Sequence, residues 1–137
     1  LDRRLAESPS GRDPDGRFRV HKLVCFEDTW QRAFEALLDR TDLVLMDLRG
    51  FTPANRGCVF ELETILARGK AAHTLVVVDD AEGALRAALS ESGLGEDALA
   101  ALQMIRIRGN SSRTLRRVYT SLSELRPLTR HAAAART

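Results

Sequence analysis

The sequence predicts an α/β fold, a three-layer sandwich of the flavodoxin or TIR kind around a mainly parallel sheet of about four strands. Short β-type runs alternate with segments of helical periodicity through most of the chain, which is the element order of parallel sheets. Two runs, LVLMDL and TLVVVDD, are apolar without alternation, as in strands that are covered on both faces. A length of 137 residues, 44% of them apolar, suits a single domain.

The first part of the chain contains an arm, a strand and a helix. Residues 1–16 mix Pro, Gly, Asp, Ser and Arg without periodicity, which is typical of a linker or arm. Alternation over 18–25 predicts the first strand. Asp28 and Gln31 have the spacing of a capping box. The helix that follows has one apolar face, formed by Trp30, Ala33, Phe34, Leu37 and Leu38.

The middle of the chain predicts a strand, a helix and a second buried strand. The run over 43–48 is the first of these strands. Thr52-Pro53 is predicted to open the helix, because proline at the first helical position gives up no hydrogen bond. Gly69 is predicted to end that helix, and residues 74–80 form the next strand.

The sequence after residue 80 predicts three helices and a strand. Asp80 is expected to cap a helix over 81–92, although Asp79-Asp80 at the strand end could instead bind a cation at the ligand edge of the sheet. A short helix covers 96–102, and the strand covers 104–108. Asn110 is expected to cap the final helix, whose apolar face consists of Leu115, Val118, Tyr119 and Leu122. The single α/β domain is therefore expected over residues 17–127, followed by a frayed tail over 128–137.

The loop after LVLMDL is the predicted ligand-binding region. In open parallel sheets, ligands bind beyond the carboxyl ends of the strands. Asp47 and Arg49 lie at such an end, and we expect both to contact a ligand.

The helix after that loop carries a carboxylate beside its core face. At roughly 100° per residue, Glu61 borders the apolar sector and Glu63 points to water. Gly57, one turn before Glu61, leaves space above the carboxylate. Glu61 is then either a chemically active carboxylate with a raised pKa, or a structural one that faces the positive helix N-terminus or pairs with Arg49 or Arg56.

The segment GCVFELE resembles the C-x-x-E-L segment of TIR domains and is similar to the G-T-x-x-E element of nucleoside deoxyribosyltransferases. In both families the segment follows a strand of the LVLMDL kind, and the resemblance covers roughly residues 19–79. It implies that Glu61 is the catalytic glutamate, that Gly57 and Cys58 are the pair before it, and that Asp47 ends the preceding strand.

The resemblance implies two functions. One is a TIR-like signalling module that recognises a protein partner, a second copy or a nucleotide, as part of a larger bacterial protein. The other is an N-glycosidase that cleaves NAD or a nucleoside, in which Glu61 stabilises or traps the oxocarbenium-like centre on the sugar. NAD or a nucleotide is accordingly the expected ligand or substrate.

The sequence lacks the signature motifs of several protein classes. The chain contains no G-x-x-x-x-G-K-[ST], G-x-G-x-x-G or G-x-S-x-G motif, and its histidines have no metal-binding spacing. No apolar run is long enough to span a membrane. Two cysteines are too few for a disulfide scaffold. We therefore expect a reducing, cytoplasmic setting, either for a free protein or for the cytosolic domain of a membrane-anchored one.

Charge is unevenly distributed along the chain. Residues 21–102 carry a net charge of −6, whereas residues 103–137 carry +7. A basic C-terminal third is compatible with an anionic surface or partner. The aromatic content of 5% provides few stacking platforms for bases, which argues against nucleic acid. The alternative is that Arg106 and Arg108 flank a strand while Arg113, Arg116 and Arg117 form the solvated face of a helix.

Overall fold

The computed structural model describes residues 14–15, 22 and 24–125. Most of the predicted arm over 1–16, the greater part of the predicted strand over 18–25, and the tail over 128–137 lie outside these residues. Residues 22, 24 and 25 are described and are not in a strand. The side chains of Val24 and Phe26 are 93% and 81% exposed. The chain divides between Arg40 and Thr41 into two compact units.

The described residues form a three-stranded parallel sheet in the second unit. Its strands are β1 (Val44–Asp47), β2 (Thr74–Val78) and β3 (Gln103–Arg106), in the order β1-β2-β3. Val44 lies opposite Thr74, and Leu75 lies opposite Gln103. The mixed α/β class with a parallel sheet is confirmed, whereas a fourth strand is not seen within the described residues.

The described residues also form five α-helices and a short 3-10 helix. The first unit contains α1 (Trp30–Arg40). The second unit contains α2 (Arg56–Ala67), a 3-10 turn (Ala71–His73), α3 (Glu82–Glu91), α4 (Glu96–Ala100) and α5 (Ser112–Glu124). Because β1, β2 and β3 are parallel, α2 and α3 must each return the chain from the carboxyl edge of the sheet to its amino edge. The two helices therefore run in the same direction. None of the described helices has the length and apolar composition needed to cross a membrane.

Burial centres on β2 and on the helix faces that cover the sheet. All five residues of β2 are buried. The fully buried side chains of the helices are Leu62, Ile65, Leu85, Leu89 and Leu99. β1 differs from the prediction of a strand buried on both sides, because Met46 is buried while Leu45 is 49% exposed. Within the described sheet β1 is an edge strand, so part of its surface has no neighbouring strand.

Three predicted helix starts are wrong, and each has a local cause. α2 begins at Arg56 rather than at Pro53, because Thr52 donates its backbone N–H and its hydroxyl to Asn55 Oδ1 (2.9 and 3.0 Å), which holds residues 52–55 in a turn. Asp80 does not cap α3, whose N-cap residue is Ala81 without a side-chain cap, because the Asp80 carboxylate accepts from Arg108 instead. Ser111, not Asn110, caps α5 by accepting the Thr114 N–H.

The predicted end of α2 is confirmed. Gly69 follows the helix with φ +65°. The N–H of Gly69 donates to the Leu66 carbonyl and that of Lys70 donates to the Ile65 carbonyl. This pair of bonds closes the helix around a left-handed residue.

Candidate functional site

A cleft lies at the carboxyl edge of the sheet, where the three strands end. Its volume is 590 Å³. It is lined by Asp47, Arg49, Asp79, Asp80, Ile107, Arg108 and Gly109. Residues from beyond β1, β2 and β3 meet here because parallel strands end at the same edge.

Arg49 joins the end of β1 to the loop after β3. Its Nε and Nη2 donate to the two carboxylate oxygens of Asp47 at 2.8 and 2.5 Å. Its Nη1 donates to the Gly109 carbonyl at 3.0 Å and to Asn110 Oδ1 at 2.6 Å. A planar guanidinium suits this arrangement, because its donors diverge in a fixed fork. The pKa of Asp47 is held below its ordinary value by the hydrogen bonds from Arg49.

Asp79 fixes the backbone on the β1 side of the cleft. Its Oδ2 accepts the N–H of Gly50, and its Oδ1 accepts the N–H of Ala81, both at 2.9 Å. These backbone donors lower the pKa of Asp79 because they favour the ionised carboxylate. Asp79 therefore ties the loop after β1 to the start of α3.

Asp80 and Arg108 form the outer pair of the cleft. Both Nε and Nη2 of Arg108 donate to Asp80 Oδ1, at 3.2 and 2.6 Å. Asp80 Oδ2 accepts no hydrogen bond from the described part of the chain. The three aspartates and two arginines give the cleft a net charge of −1, so it offers carboxylate acceptors and guanidinium planes together.

Gly57, Cys58 and Glu61 lie on the first turn and a half of α2, and all three are partly buried. Burial raises the pKa of Glu61. Burial also raises the pKa of the Cys58 thiol, and the nearby Glu61 charge adds to that effect. The thiol is therefore held in its protonated, less nucleophilic form.

The structural alternatives for Glu61 find no support in these contacts. Arg49 is bound to Asp47, and Glu61 forms no ion pair with any described residue. Glu61 is the sixth residue of α2, beyond the first turn where the helix dipole acts most strongly. Glu63, expected to point to water, is partly buried. Glu61 is thus a half-buried carboxylate without a described cationic partner.

The predicted site residues fall into two groups. Asp47 and Arg49 line the cleft, whereas Gly57, Cys58 and Glu61 are not among its lining residues. Sequence reasoning preferred a helix cap for Asp80 over cation binding and placed Arg108 at the flank of a strand, so it selected neither residue for the site. The signal available for finding them is that each is the last residue of a predicted strand and so lies at the same edge as Asp47. Within the described residues, no cluster of His, Cys, Asp and Glu is arranged to hold a metal ion.

Comparison with known proteins finds no matching family model, no matching curated protein and no matching solved structure.

Proposed function

We propose that this chain is a TIR-like α/β module that recognises a nucleotide in the cleft at the carboxyl edge of its sheet. The observation that carries the proposal is the meeting of Asp47, Arg49, Asp80 and Arg108 in one cleft of 590 Å³. That volume lies within the roughly 300–1,000 Å³ range of small-molecule sites. A fourth strand and a third layer would complete the sandwich that the resemblance implies.

The charges of the cleft favour the nucleoside part of a nucleotide. A net charge of −1 opposes a free phosphate, whereas Asp80 Oδ2 can accept a hydrogen bond from a ribose hydroxyl. A guanidinium such as that of Arg108 can stack on the plane of a base. We therefore expect recognition of ribose and base, with phosphate groups extending toward solvent.

Binding is tested by titrating the protein with adenosine, AMP, NAD and inorganic phosphate, followed by calorimetry and by NMR shifts. We expect saturable binding of the nucleoside-containing ligands and none of phosphate alone. Asp80→Asn should weaken binding, while Arg113→Gln, a change on the exposed surface of α5, should leave it unchanged. Absence of binding, or equal affinity in Asp80→Asn, would refute the proposal.

A second candidate function is hydrolysis of an N-glycosidic bond by Glu61. The observation that favours it is the half-burial of a carboxylate that has no described cationic partner. Such a carboxylate can stabilise the cationic sugar carbon while the bond electrons leave with the base nitrogen. Water then adds its hydroxyl to the sugar carbon, and its remaining proton passes to the base or, when nicotinamide leaves, to solvent. Departure of nicotinamide from NAD would follow the same course.

The two acids of α2 provide a matched test of hydrolysis. The protein is incubated with NAD and with nucleosides, and release of nicotinamide or base is measured. We expect Glu61→Gln to abolish release and Glu63→Gln to retain it. Release that is unchanged in Glu61→Gln would remove the assigned role.

The proposed setting, a reducing bacterial cytoplasm, is based on amino-acid composition. Only two of the 21 basic residues are lysines, a bias in keeping with a GC-rich bacterial genome. Both described cysteines are free, which suits a reducing cytoplasm. In such a setting, ligand occupancy of the cleft would be transmitted to a protein partner or to other parts of a larger signalling protein.

A further inference from the structure

A second cavity, beside the cleft, is formed by the end of β3 and the first two turns of α5. Its volume is 440 Å³, and it is lined by Arg106, Ile107, Arg108, Thr114 and Arg117. We call it the arginine groove. Its lining carries three positive charges and no carboxylate, whereas the lining of the cleft has a net charge of −1.

The local structure of β3 and α5 brings these side chains to one place. Arg106 and Arg108 are two residues apart in extended backbone that is still bonded to β2, and side chains two apart in such a chain lie on one face. Thr114 and Arg117 are three residues apart on α5 and share one face of the helix. The two faces together line the groove.

The three arginines keep donors that a ligand can use. Arg106 donates from Nη2 to Glu82 at 2.8 Å, which leaves its Nε and Nη1 without a described partner. Arg108 donates from Nε and Nη2 to Asp80 and keeps Nη1. The side chain of Arg117 forms no hydrogen bond or ion pair with any described residue, so all of its donors remain available.

The positive charge of the groove is only partly balanced. Glu82 also accepts from Arg86 Nε at 3.0 Å, so one carboxylate serves two guanidinium groups. Residues 111–120 contain three arginines and no acid. Like charges that share a groove repel each other and oppose folding. A bound anion would remove this repulsion.

We infer that the arginine groove binds a chain of linked phosphate groups. Guanidinium groups form paired, charge-assisted hydrogen bonds with phosphate oxygens. The Thr114 hydroxyl can donate another, because the Ser111 hydroxyl, 3.0 Å away, can be the donor of the bond between the two.

The size and openness of the groove favour a chain over a single phosphate ion. One ion occupies a small part of 440 Å³ and reaches only some of the three arginines. Its attraction to exposed guanidinium groups is weakened by water and salt. In a chain, binding of the first phosphate holds the next ones at a high effective concentration near the other arginines.

Such a chain has two possible sources, because the groove and the cleft share Ile107 and Arg108 in their linings. It is either a free oligophosphate or the tail of a nucleotide whose ribose and base occupy the cleft. The second source rests on the proposed function. Phosphate groups that leave the cleft past Arg108 would then enter the arginine groove.

Calorimetry with inorganic triphosphate tests the groove directly, at low ionic strength and without divalent cations, which would neutralise the chain. We expect one saturable site. Arg117→Gln should weaken binding about tenfold or more, through loss of charge-assisted hydrogen bonds. Arg113→Gln makes the same change in charge one turn earlier on α5, outside the groove, and should retain the wild-type affinity. Circular dichroism of both variants establishes that they are folded.

Adenosine, AMP and ATP distinguish the two sources. For a nucleotide tail, affinity should rise from adenosine to ATP, and Arg117→Gln should remove the rise while leaving adenosine binding unchanged. For a free oligophosphate, ATP should bind no more tightly than triphosphate, and Asp80→Asn should weaken neither.

The outcomes separate this inference from the proposed function. Triphosphate that does not bind, together with no rise from adenosine to ATP, would overturn the inference. Equal losses in Arg113→Gln and Arg117→Gln would also overturn it, because binding would then follow overall charge. A protein that binds triphosphate but not adenosine would refute nucleotide recognition in the cleft and support the arginine groove.

Discussion

Gly50 provides the sharpest test of how the loop at the cleft is built. The residue has φ +72°, and a Cβ placed on it would meet nothing within 4 Å. Substitution by alanine therefore causes backbone strain without a clash. The left-handed conformation costs a residue with a Cβ roughly 1–2 kcal/mol, so we expect Gly50→Ala to lower the free energy of unfolding by that amount.

Gly83 is the matched control. It is the second residue of α3, is exposed, and also has open space where a Cβ would stand. Because its backbone is helical, Gly83→Ala should raise the free energy of unfolding, by about 0.5–1 kcal/mol. Gly50→Asn should cost less than Gly50→Ala, since asparagine adopts the left-handed conformation more readily.

Urea denaturation measures all three variants. A change in the midpoint at constant m-value reports a change in the free energy of unfolding rather than in the compactness of the unfolded chain. Opposite signs for Gly50→Ala and Gly83→Ala would isolate backbone conformation as the cause, because neither site is crowded. A neutral or stabilising Gly50→Ala would refute the left-handed geometry of the loop, and with it the bond from Gly50 N–H to Asp79.

Four further predictions concern the core, a helix cap and two carboxyls. Leu62→Ala should lower the free energy of unfolding by about 2–5 kcal/mol in urea denaturation, since the side chain is fully buried and leaves a cavity; a loss under about 1 kcal/mol would contradict this. Ser111→Ala should cost about 0.5–2 kcal/mol through the lost cap of α5, and an effect equally large in Asn110→Ala would contradict the assignment of the cap. Burial raises the pKa of Glu61 above its ordinary 4.5, so folding favours the protonated form and the wild type loses stability as pH rises above that value. Glu61→Gln should therefore be more stable than the wild type at pH 7 and show no such advantage at pH 3 in thermal melts. The pKa of Asp79 lies below its ordinary 3.8, so the stabilisation of the fold by this carboxylate is present above pH 3.8 and is lost as pH falls through the lowered pKa. Asp79→Asn should remove this loss of stability in acid. An unchanged dependence of stability on pH would argue against the bonds from Gly50 and Ala81 to Asp79.

The parts of the fold that follow from periodicity could be predicted from the sequence. An apolar run such as TLVVV is long enough to place β2, and every residue of that strand is buried. Gly69 marks the end of α2 because few other residues adopt the left-handed conformation there. Asp47 and Arg49 could be assigned to the ligand edge because strand ends meet at one edge of a parallel sheet.

The helix starts could not be predicted, because short polar side chains choose among local partners. Asn55 lies two residues after Pro53, and its side-chain oxygen Oδ1 accepts from Thr52 instead of capping α2. Asn110 and Ser111 are adjacent and are both good capping residues. The choice between them depends on Arg49, whose guanidinium occupies Asn110 Oδ1 across 61 positions of sequence. Such long-range contacts leave no local signal.

The two candidate functions make different demands on Glu61. A module that only binds a ligand in the carboxyl-edge cleft has no need of this carboxylate, since Asp47, Asp79 and Asp80 line that cleft and Glu61 does not. Yet keeping Glu61 ionised at neutral pH opposes folding, because burial disfavours the charged form. A glutamine at this position would remove that cost with little change in volume. Hydrolysis of a glycosidic bond gives the carboxylate a purpose that glutamine cannot serve, so a stabilised Glu61→Gln variant that binds NAD but no longer releases nicotinamide would assign Glu61 a role in hydrolysis that is separate from binding in the cleft.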